Sequence, residues 1–325
     1  MSNKKNIAII GCGNLGRRHL QAAVKCTYPI DIYVYDINTD VFKLADDIVK
    51  NEEKNPETTV NYITSLEQLP RELFTVVVAS SANGRAETVK ALLNNSEVAY
   101  LILEKVLFQK YEDYDEIEKL LEEKRVTAYV NCPRRYFDIY HTLKELLNGK
   151  EFKTYISGSN WGLGCNFIHM LDMISFIAGI KDLHVDISKL DDNVIESKRA
   201  GYKEITGTIT GSIGTCKEFS VSSYADKDAD FTIYFESENE RILLLESLKT
   251  CYIIGESTSW KMEKKNFDIL YQSGLTNKYI ESMIESKSCQ LTSYKESALL
   301  HKAFIKPLTD FFAERGVKNR LCPIT

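Results

Sequence analysis

The sequence predicts an α/β protein of two domains, in which a doubly wound parallel sheet comes first and a domain rich in antiparallel strands follows. Strands and helices alternate through about the first 130 residues, whereas several short strands follow one another directly between Tyr202 and Ile254. The chain of 325 residues is long for one domain and long enough for two. Its apolar fraction of 44% is ordinary for a globular protein, so each domain can bury a core.

The first half contains five short apolar or β-branched runs that predict buried strands. They lie at residues 6–10, 30–36, 73–79, 99–103 and 126–130. Segments of helix-forming composition alternate with them, at residues 16–25, 39–51, 86–93 and 111–124. This alternation implies parallel strands joined by right-handed crossovers.

The second half follows a different pattern. Helices are expected at residues 137–147, 166–178 and 293–312, and the turn Ser237–Glu240 is expected to join two strands as a hairpin. Successive strands without intervening helices predict antiparallel pairing. We therefore expect a first domain at residues 1–130, a second at 131–292 and a final helical segment at 293–325.

Charge and hydropathy argue against several functional classes. A net charge of −5, with both signs mixed along the chain, disfavours a nucleic-acid surface. The longest apolar runs are far shorter than the roughly 20 residues of a membrane span, and Gly11 interrupts the N-terminal run before a secretory signal can form. Eight cysteines without a C-x-x-C pair predict free thiols and no metal site. We expect a cytoplasmic protein with no membrane or nucleic-acid partner.

The segment after the first predicted strand, GCGNLG, has the glycine spacing of a dinucleotide-binding turn. Backbone N–H groups of such a turn, and of the helix that follows it, bind a pyrophosphate. In this pattern Gly11 allows the tight turn, Gly13 lets the phosphates approach and Gly16 lets the helix pack on the strand. Asn14 and Leu15 complete the turn, so we expect these five residues to bind the cofactor.

Asp36 ends the second predicted strand, 20 residues after Gly16. A carboxylate at this position accepts hydrogen bonds from the ribose hydroxyls and repels a 2′-phosphate. No arginine follows it within the DINTD segment. The pattern favours NAD over NADP, and the alternative is a glycine turn followed by a chance aspartate.

Polar residues follow the third and fourth predicted strands, at the sheet edge where ligands bind. Ser80, Ser81 and Asn83 are expected to contact the dinucleotide, to cap the next helix, or to do both. Glu104 and Lys105 end the fourth strand and are expected to line the cofactor site. The lysine ammonium can orient a substrate hydroxyl and lower the pKa of that hydroxyl. The alternative for Glu104 and Lys105 is a solvated surface pair.

Asn166, His169 and Asp172 recur every three residues in a predicted helix and are expected to share one face. Histidine is the usual general acid or base near neutral pH. The alternative is a polar helix face that only holds the domains together.

In their order and spacing, these motifs resemble the Gfo/Idh/MocA family of NAD(P)-dependent oxidoreductases over almost the whole chain. GCGNLGRRHL resembles the family's GxGxxGxxH, with His19 at the histidine. SSANGRAETV resembles its TPN…H segment, LEKVL its EKP motif, CPRRYF the segment that opens its second domain, and CNFIHMLD its DxGxHxxD signature.

The chain departs from the family pattern at four positions. Arg85 stands where histidine is common, and Val106 replaces the proline of EKP. Cys165 and Phe167 stand at the aspartate and glycine of DxGxHxxD, and Asn166 is adjacent to the missing aspartate.

The resemblance implies a Rossmann domain followed by a C-terminal α+β domain with an open, mostly antiparallel sheet. One face of that sheet commonly forms homodimers or homotetramers, and a last helix from about Ser293 would return to the first domain. The implied activity is hydride transfer between NAD, less often NADP, and a sugar carbinol or ketone. Within the family, the chain resembles members that act on activated or acidic sugars of bacterial surface glycans.

The resemblance also implies roles for individual residues. Lys105 would polarise the reacting oxygen, His169 would act as general base or acid, and Asn166 and Asp172 would orient the histidine or the substrate. Arg134 and Arg135 are candidate contacts to an anionic substrate or the cofactor, with surface arginines as the alternative. Two other functions remain open: an NAD-binding regulator without turnover, and a non-redox enzyme that recycles NAD internally.

Overall fold

The computed structural model describes residues 4–225, 228–317 and 321–325. The chain divides into two units. The first contains the residues up to Phe108 together with Glu112–Pro133 and Leu270–Lys295. The second contains Gln109–Tyr111, Arg134–Ile269 and the residues from Glu296 onward.

The secondary structure of the described residues follows in chain order. The strands are β1 Lys5–Ile10, β2 Ile30–Tyr35, β3 Thr59–Ile63, β4 Glu72–Val78, β5 Glu97–Leu103, β6 Thr127–Val130, β7 Phe152–Ser159, β8 His184–Leu190, β9 Ile195–Glu196, β10 Lys203–Glu204, β11 Gly207–Ile213, β12 Cys216–Tyr224, β13 Thr232–Ser237, β14 Glu240–Leu245, β15 Thr250–Gly255, β16 Glu263–Asn266 and β17 Thr292–Ser293. The α-helices are α1 Asn14–Ala23, α2 Asp40–Lys50, α3 Arg85–Asn95, α4 Glu112–Glu123, α5 Asp138–Leu146, α6 Leu163–Ala178, α7 Thr276–Ser286 and α8 Tyr294–Glu314.

The sheet of the first unit has the strand order β17-β6-β5-β4-β1-β2-β3. Strands β1 to β6 run parallel, and the short β17 pairs antiparallel with β6. Residues 7–10 of β1 and 76–78 of β4 are apolar and buried, as a parallel sheet covered on both faces requires. The strand order reverses between β1 and β4, and in sheets of this kind the ligand crevice lies at that point, beyond the carboxyl ends of the strands.

The sheet of the second unit has the order β16-β15-β14-β13-β7-β12-β11-β8. Neighbouring strands are antiparallel except β7 and β12, which are parallel. Burial alternates along β7, with Phe152, Thr154 and Ile156 buried. Helix α6 packs against this sheet, and the rings of Phe167 and Phe219 lie 6.2 Å apart.

The predicted fold class is confirmed: a Rossmann-type parallel sheet precedes a mostly antiparallel one. The predicted hairpin is also confirmed, because β13 and β14 pair antiparallel across the turn Ser237–Glu240. Seven described strands and α-helices were not predicted from the sequence: β3, β7, β8, β9, β16, β17 and α7. Strand β3 lies at a sheet edge and is largely exposed, so it lacks an apolar run.

The units divide the chain differently from the sequence-based boundaries. Residues Leu270–Lys295, late in the chain, belong to the first unit. They do so because β17 pairs with β6 and α7 packs on α1. Helix α8 was expected to return to the first domain, but from Glu296 onward it groups with the second unit. The rings of Phe304 in α8 and Phe167 in α6 are 5.2 Å apart, which shows this packing.

The described part of the chain contains neither a candidate membrane-spanning helix nor a candidate metal cluster. No α-helix in it has both the length and the apolar character needed to cross a membrane. No group of three or more histidine, cysteine, aspartate or glutamate side chains in it has an arrangement that could hold a metal ion.

Candidate cofactor and active site

The backbone between β1 and α1 requires two of the three motif glycines. Gly11 has a φ of +95°, and a Cβ placed on it would lie 2.9 Å from the backbone nitrogen of Ser80. A Cβ on Gly16 would lie 1.8 Å from the carbonyl oxygen of Gly11. The turn and the start of α1 therefore approach each other too closely for any side chain at these positions.

Gly13 differs from the other two glycines because a Cβ on it would meet no atom within 4 Å. It is the N-cap residue of α1, and no side chain caps this helix end. The first N–H groups of α1 lack partners within the helix and create a partial positive charge at its start. An open, positively polarised helix start is what a pyrophosphate needs.

Asp36 follows β2 and is held against the glycine turn. Its Oδ2 accepts a hydrogen bond of 2.7 Å from the backbone N–H of Cys12, and its Oδ1 accepts one of 2.9 Å from Asn38. The side chain is partly exposed, so its remaining lone pairs are available to ribose hydroxyls. Burial, together with the charge of Asp36, raises the pKa of Cys12 to about 11, so this thiol stays protonated at neutral pH.

Arg17, which the sequence analysis did not single out, places a cation beside the same turn. Its Nη1 donates to the carbonyl oxygen of Cys12 at 3.1 Å, and its Nη2 donates to Oδ1 of Asn14 at 2.6 Å. The position directly after Gly16, in the first turn of α1, is the sequence signal that would have identified it. A guanidinium here favours an anionic ligand at the turn.

The loop after β4 contains three predicted cofactor contacts. Ser80 has a buried Oγ without a hydrogen-bond partner among the described residues, whereas Ser81 and Asn83 are exposed. The N-cap of α3 is Gly84, and no side chain caps that helix. The proposed capping role of these residues is therefore not observed. The unpartnered hydroxyl, the open helix start at Gly13 and the accessible Asp36 together fit a dinucleotide.

Glu104 and Lys105 directly follow β5 and lie in different environments. Glu104 is buried, and its Oε1 lies 2.8 Å from Nε2 of His19 and accepts a hydrogen bond from Asn131. Burial alone would raise the pKa of Glu104, but the hydrogen bond and charge of His19, aided by Asn131, hold that pKa below its usual value. Lys105 is partly exposed, and the peptide bond that joins it to Val106 is cis. The solvated surface pair is thus the wrong interpretation for Glu104.

A buried polar network continues from Glu104 into the segment Leu270–Lys295. Nδ1 of His19 lies 2.9 Å from Oγ1 of Thr276 and 3.1 Å from Nε2 of Gln272. Tyr279 donates to Oδ1 of Asn131 at 3.1 Å. Asn131 directly follows the last parallel strand, a signal that could have identified it. No sequence pattern indicates Gln272 or Thr276.

In the second unit, α6 separates the three polar residues that were expected on one face. Asn166 and His169 are partly exposed, whereas Asp172 is fully buried. In a helix of 3.6 residues per turn, three residues rotate by about 60° less than a full turn. Asn166 and Asp172, six residues apart, therefore lie about 120° apart around the helix. Asn166 donates to the carbonyl oxygen of Trp161 at 2.7 Å.

Arg134 and Arg135 are engaged inside the second unit, so the interpretation as surface arginines was wrong. Arg135 donates to both carboxylate oxygens of Asp172, at 3.1 and 2.8 Å, and pairs with Glu296 at 2.6 Å. Arg134 donates to both oxygens of Glu246, at 2.9 and 2.6 Å. These bidentate pairs use donors that a ligand would otherwise bind.

The N-terminus of α6 is capped by a carboxylate, unlike that of α1. Glu204 is buried and accepts hydrogen bonds from the backbone N–H groups of Gly164 and Cys165, the latter at 3.3 Å. A Cβ on Gly164 would lie 2.5 Å from Oε1 of Glu204, so the cap depends on this glycine. Since the helix start already binds an anion, its charge is compensated within the protein.

Comparisons with known proteins agree with this geometry. The sequence pattern of the Gfo/Idh/MocA oxidoreductase family, with its NAD-binding Rossmann fold, matches residues 5–132. No curated protein sequence matches the chain significantly.

Solved structures share the fold over nearly the whole chain at low sequence identity. UDP-N-acetylglucosamine 3-dehydrogenase GnnA from Acidithiobacillus ferrooxidans has a TM-score of 0.69 at 12% identity and covers 92% of this chain and 95% of its own. An Agrobacterium radiobacter oxidoreductase in complex with NAD+, L-tartaric acid and magnesium has a TM-score of 0.70 at 13% identity, covering 96% and 97%. The transcriptional regulator Gal80p from Kluyveromyces lactis has a TM-score of 0.73 at 14% identity, covering 97% and 91%.

Two matched glycine-to-alanine substitutions in the turn should have different effects, one on stability and the other on cofactor binding. Gly16→Ala should lower the melting temperature strongly, because its Cβ overlaps the backbone of Gly11. Gly13→Ala should leave the melting temperature unchanged but weaken NADH binding by at least about tenfold, because the methyl group occupies the approach of the phosphates. Thermal unfolding and NADH fluorescence titration measure the two effects. Unchanged NADH affinity in Gly13→Ala would show that the dinucleotide does not bind at this turn.

The lowered pKa of Glu104 predicts an acid-dependent contribution to stability. The contribution is complete above the unfolded-state pKa of about 4.3 and is lost as the pH falls through the lower folded-state pKa. Glu104→Gln should lower the free energy of unfolding at pH 7 by about 1.5–3 kcal/mol and flatten its decrease below about pH 5. Urea unfolding at several pH values tests this, with the exposed Glu97→Gln as control. An acid slope in Glu104→Gln equal to that of the wild type would contradict it.

Proposed function

Since residues 5–132 match the sequence pattern of the Gfo/Idh/MocA family of oxidoreductases, we propose that the protein is an NAD-dependent dehydrogenase or reductase acting on a sugar carbinol or ketone. The observation that carries the proposal is the open start of α1 with Asp36 held against its glycine turn. Bound NAD would accept a hydride from the substrate carbon or return it in the reverse direction.

The choice of NAD over NADP rests on Asp36. Its carboxylate is partly exposed and is oriented by the N–H groups of Cys12 and Asn38. An ionised carboxylate accepts hydrogen bonds from the ribose hydroxyls and repels a 2′-phosphate. Arg17 lies at the same turn, but its described hydrogen bonds are to Cys12 and Asn14. We propose that it contributes positive charge for the pyrophosphate.

In the proposed mechanism, Lys105 polarises the reacting oxygen of the substrate. It is partly exposed at the carboxyl end of β5, where parallel sheets place their ligands. An ammonium near a hydroxyl lowers the pKa of that hydroxyl, and near a carbonyl it stabilises the negative charge that develops on oxygen.

His169 is proposed as the general base in oxidation and the general acid in reduction. The residue is partly exposed on α6, and histidine is the side chain that ordinarily exchanges a proton near neutral pH. Asn166, one turn earlier, is proposed to orient the substrate or the histidine. Asp172 is buried against Arg135, so its proposed contribution is to hold α6 in place.

The proposed substrate is an activated or acidic sugar, as in surface glycan synthesis. The family resemblance supports this, and one protein of similar fold carries the name of a nucleotide-sugar dehydrogenase. A cytoplasmic location and a homodimeric or homotetrameric assembly are part of the proposal and rest on sequence and resemblance alone.

A second candidate function is an NAD-binding regulator without turnover. Two observations favour it: Cys165 stands where the family has its aspartate, and a transcriptional regulator shares the fold. Turnover decides between the candidates. A screen of nucleotide sugars and sugar acids with NAD and NADP, read by NADH absorbance, should yield a substrate if the enzyme proposal holds. NAD binding with a protein partner and no turnover would support the regulator.

Cofactor preference should depend on the charge of Asp36. The wild type should bind NADH at least about tenfold more tightly than NADPH, a difference of about 1.4 kcal/mol. Asp36→Asn keeps an acceptor for Cys12 but removes the charge, so it should narrow this ratio mainly by improving NADPH binding. Fluorescence titration with both cofactors measures the ratio. A tenfold preference of the wild type for NADPH would contradict the assignment.

Loss of either proposed catalytic side chain should lower kcat without loss of cofactor binding. Lys105→Ala and His169→Ala should each reduce kcat by about 10²–10⁴-fold, the usual contribution of a positioned acid, base or charge. NADH affinity should stay close to that of the wild type. The exposed Lys124→Ala, in the same unit as Lys105, serves as a control. Near wild-type turnover in both variants would refute these roles.

A further inference from the structure

Arg85 begins α3 and is almost completely buried, with 1% of its surface exposed. A buried guanidinium loses its hydration, and only hydrogen bonds to acceptors inside the protein offset that cost. Four backbone carbonyl oxygens, those of Ser80, Glu104, Val106 and Leu107, accept hydrogen bonds from it.

These acceptors belong to two separate loops. Nε and Nη2 donate to Ser80, in the loop after β4, with 3.2 Å between Nε and the oxygen. Nη1 donates to Glu104 at 2.6 Å, to Leu107 at 3.0 Å and to Val106, all in the turn after β5. One planar group thus ties together the ends of two neighbouring parallel strands.

The carbonyl groups bound by Nη1 lie on both sides of Lys105. The carbonyl of Glu104 belongs to the peptide group before Lys105, and that of Val106 to the second peptide group after it. Holding both peptide groups restricts the backbone dihedral angles of the intervening residues. Arg85 thereby constrains the backbone on both sides of Lys105.

We propose that Arg85 is a positioning residue that aims Lys105 at the reacting oxygen and holds Ser80 in register with it. The proposal rests on the proposed function of this site. Arginine suits the task because its five donors form a rigid planar fork. Histidine, common at this position in the family that the sequence resembles, has two ring nitrogens and cannot reach four carbonyl groups at once.

The experiment compares the wild type with Arg85→Ala, Arg85→Lys and the exposed control Arg71→Ala. Amide hydrogen exchange of peptides covering residues 79–82 and 104–108 reports on the two loops without any substrate. NADH titration and steady-state kinetics report on binding and turnover. Each measurement is repeated with a non-denaturing concentration of guanidinium chloride and with the same concentration of sodium chloride.

The proposal predicts a selective defect. Arg85→Ala should speed exchange in both loops and lower kcat about 100-fold, the effect of a small misplacement of a reacting group, while NADH affinity changes little. Arg85→Lys should resemble it, because a point charge cannot replace the fork. In Arg85→Ala, guanidinium chloride should slow amide hydrogen exchange in both loops again and raise kcat at least tenfold. Sodium chloride at the same concentration should do neither.

Other outcomes separate the two proposals. Unchanged exchange in both loops, full activity of Arg85→Lys, or losses that guanidinium does not reverse would overturn the role of Arg85. If Arg85→Ala does not fold, Arg85→Lys decides by the same exchange and kinetic criteria. If the wild type binds NADH but turns over no substrate, the proposed enzymatic function fails. Exchange and guanidinium rescue then decide whether Arg85 holds the loops.

Discussion

The hydrogen bond between the buried carboxylate of Glu104 and His19 is the contact on which the first unit depends. It joins the end of β5 to α1, the helix that begins at the glycine turn. Asn131 links the same carboxylate to the end of β6, and Gln272 links the network to the segment that returns from later in the chain. A buried carboxylate is costly unless it is paired and hydrogen-bonded, so these elements must come together for the charge to remain inside.

Helices α1 and α6 begin in different electrostatic environments. Helix α1 starts at an uncapped glycine and leaves its N–H groups to an external anion. Helix α6 starts at a buried internal carboxylate, Glu204, which neutralises its end. This contrast explains why the start of α1, and not that of α6, suits a pyrophosphate. The start of α6 offers no comparable site, because Glu204 already occupies it.

Three arginines bonded inside the protein show how far local pattern and final role can diverge. Arg85 binds backbone carbonyl groups, whereas Arg134 and Arg135 bind carboxylates distant in sequence. Their neighbours in sequence do not distinguish them from exposed arginines. Local pattern also fails for Asp172. It follows His169 by three residues, as His169 follows Asn166, but its position around the helix places it in the core.

The sequence by itself determined the parallel sheet, the glycine turn, Asp36 and the antiparallel hairpin strands, because each depends on local spacing. It also contained the alternating pattern of β7, which passed unrecognised although it lies in the middle of its sheet. Only the tertiary structure decided that Glu104 is internal, that Asp172 pairs with Arg135, and that residues 270–295 complete the first unit. These facts depend on contacts between residues far apart in the chain, and burial and charge pairing are settled only when the whole unit folds.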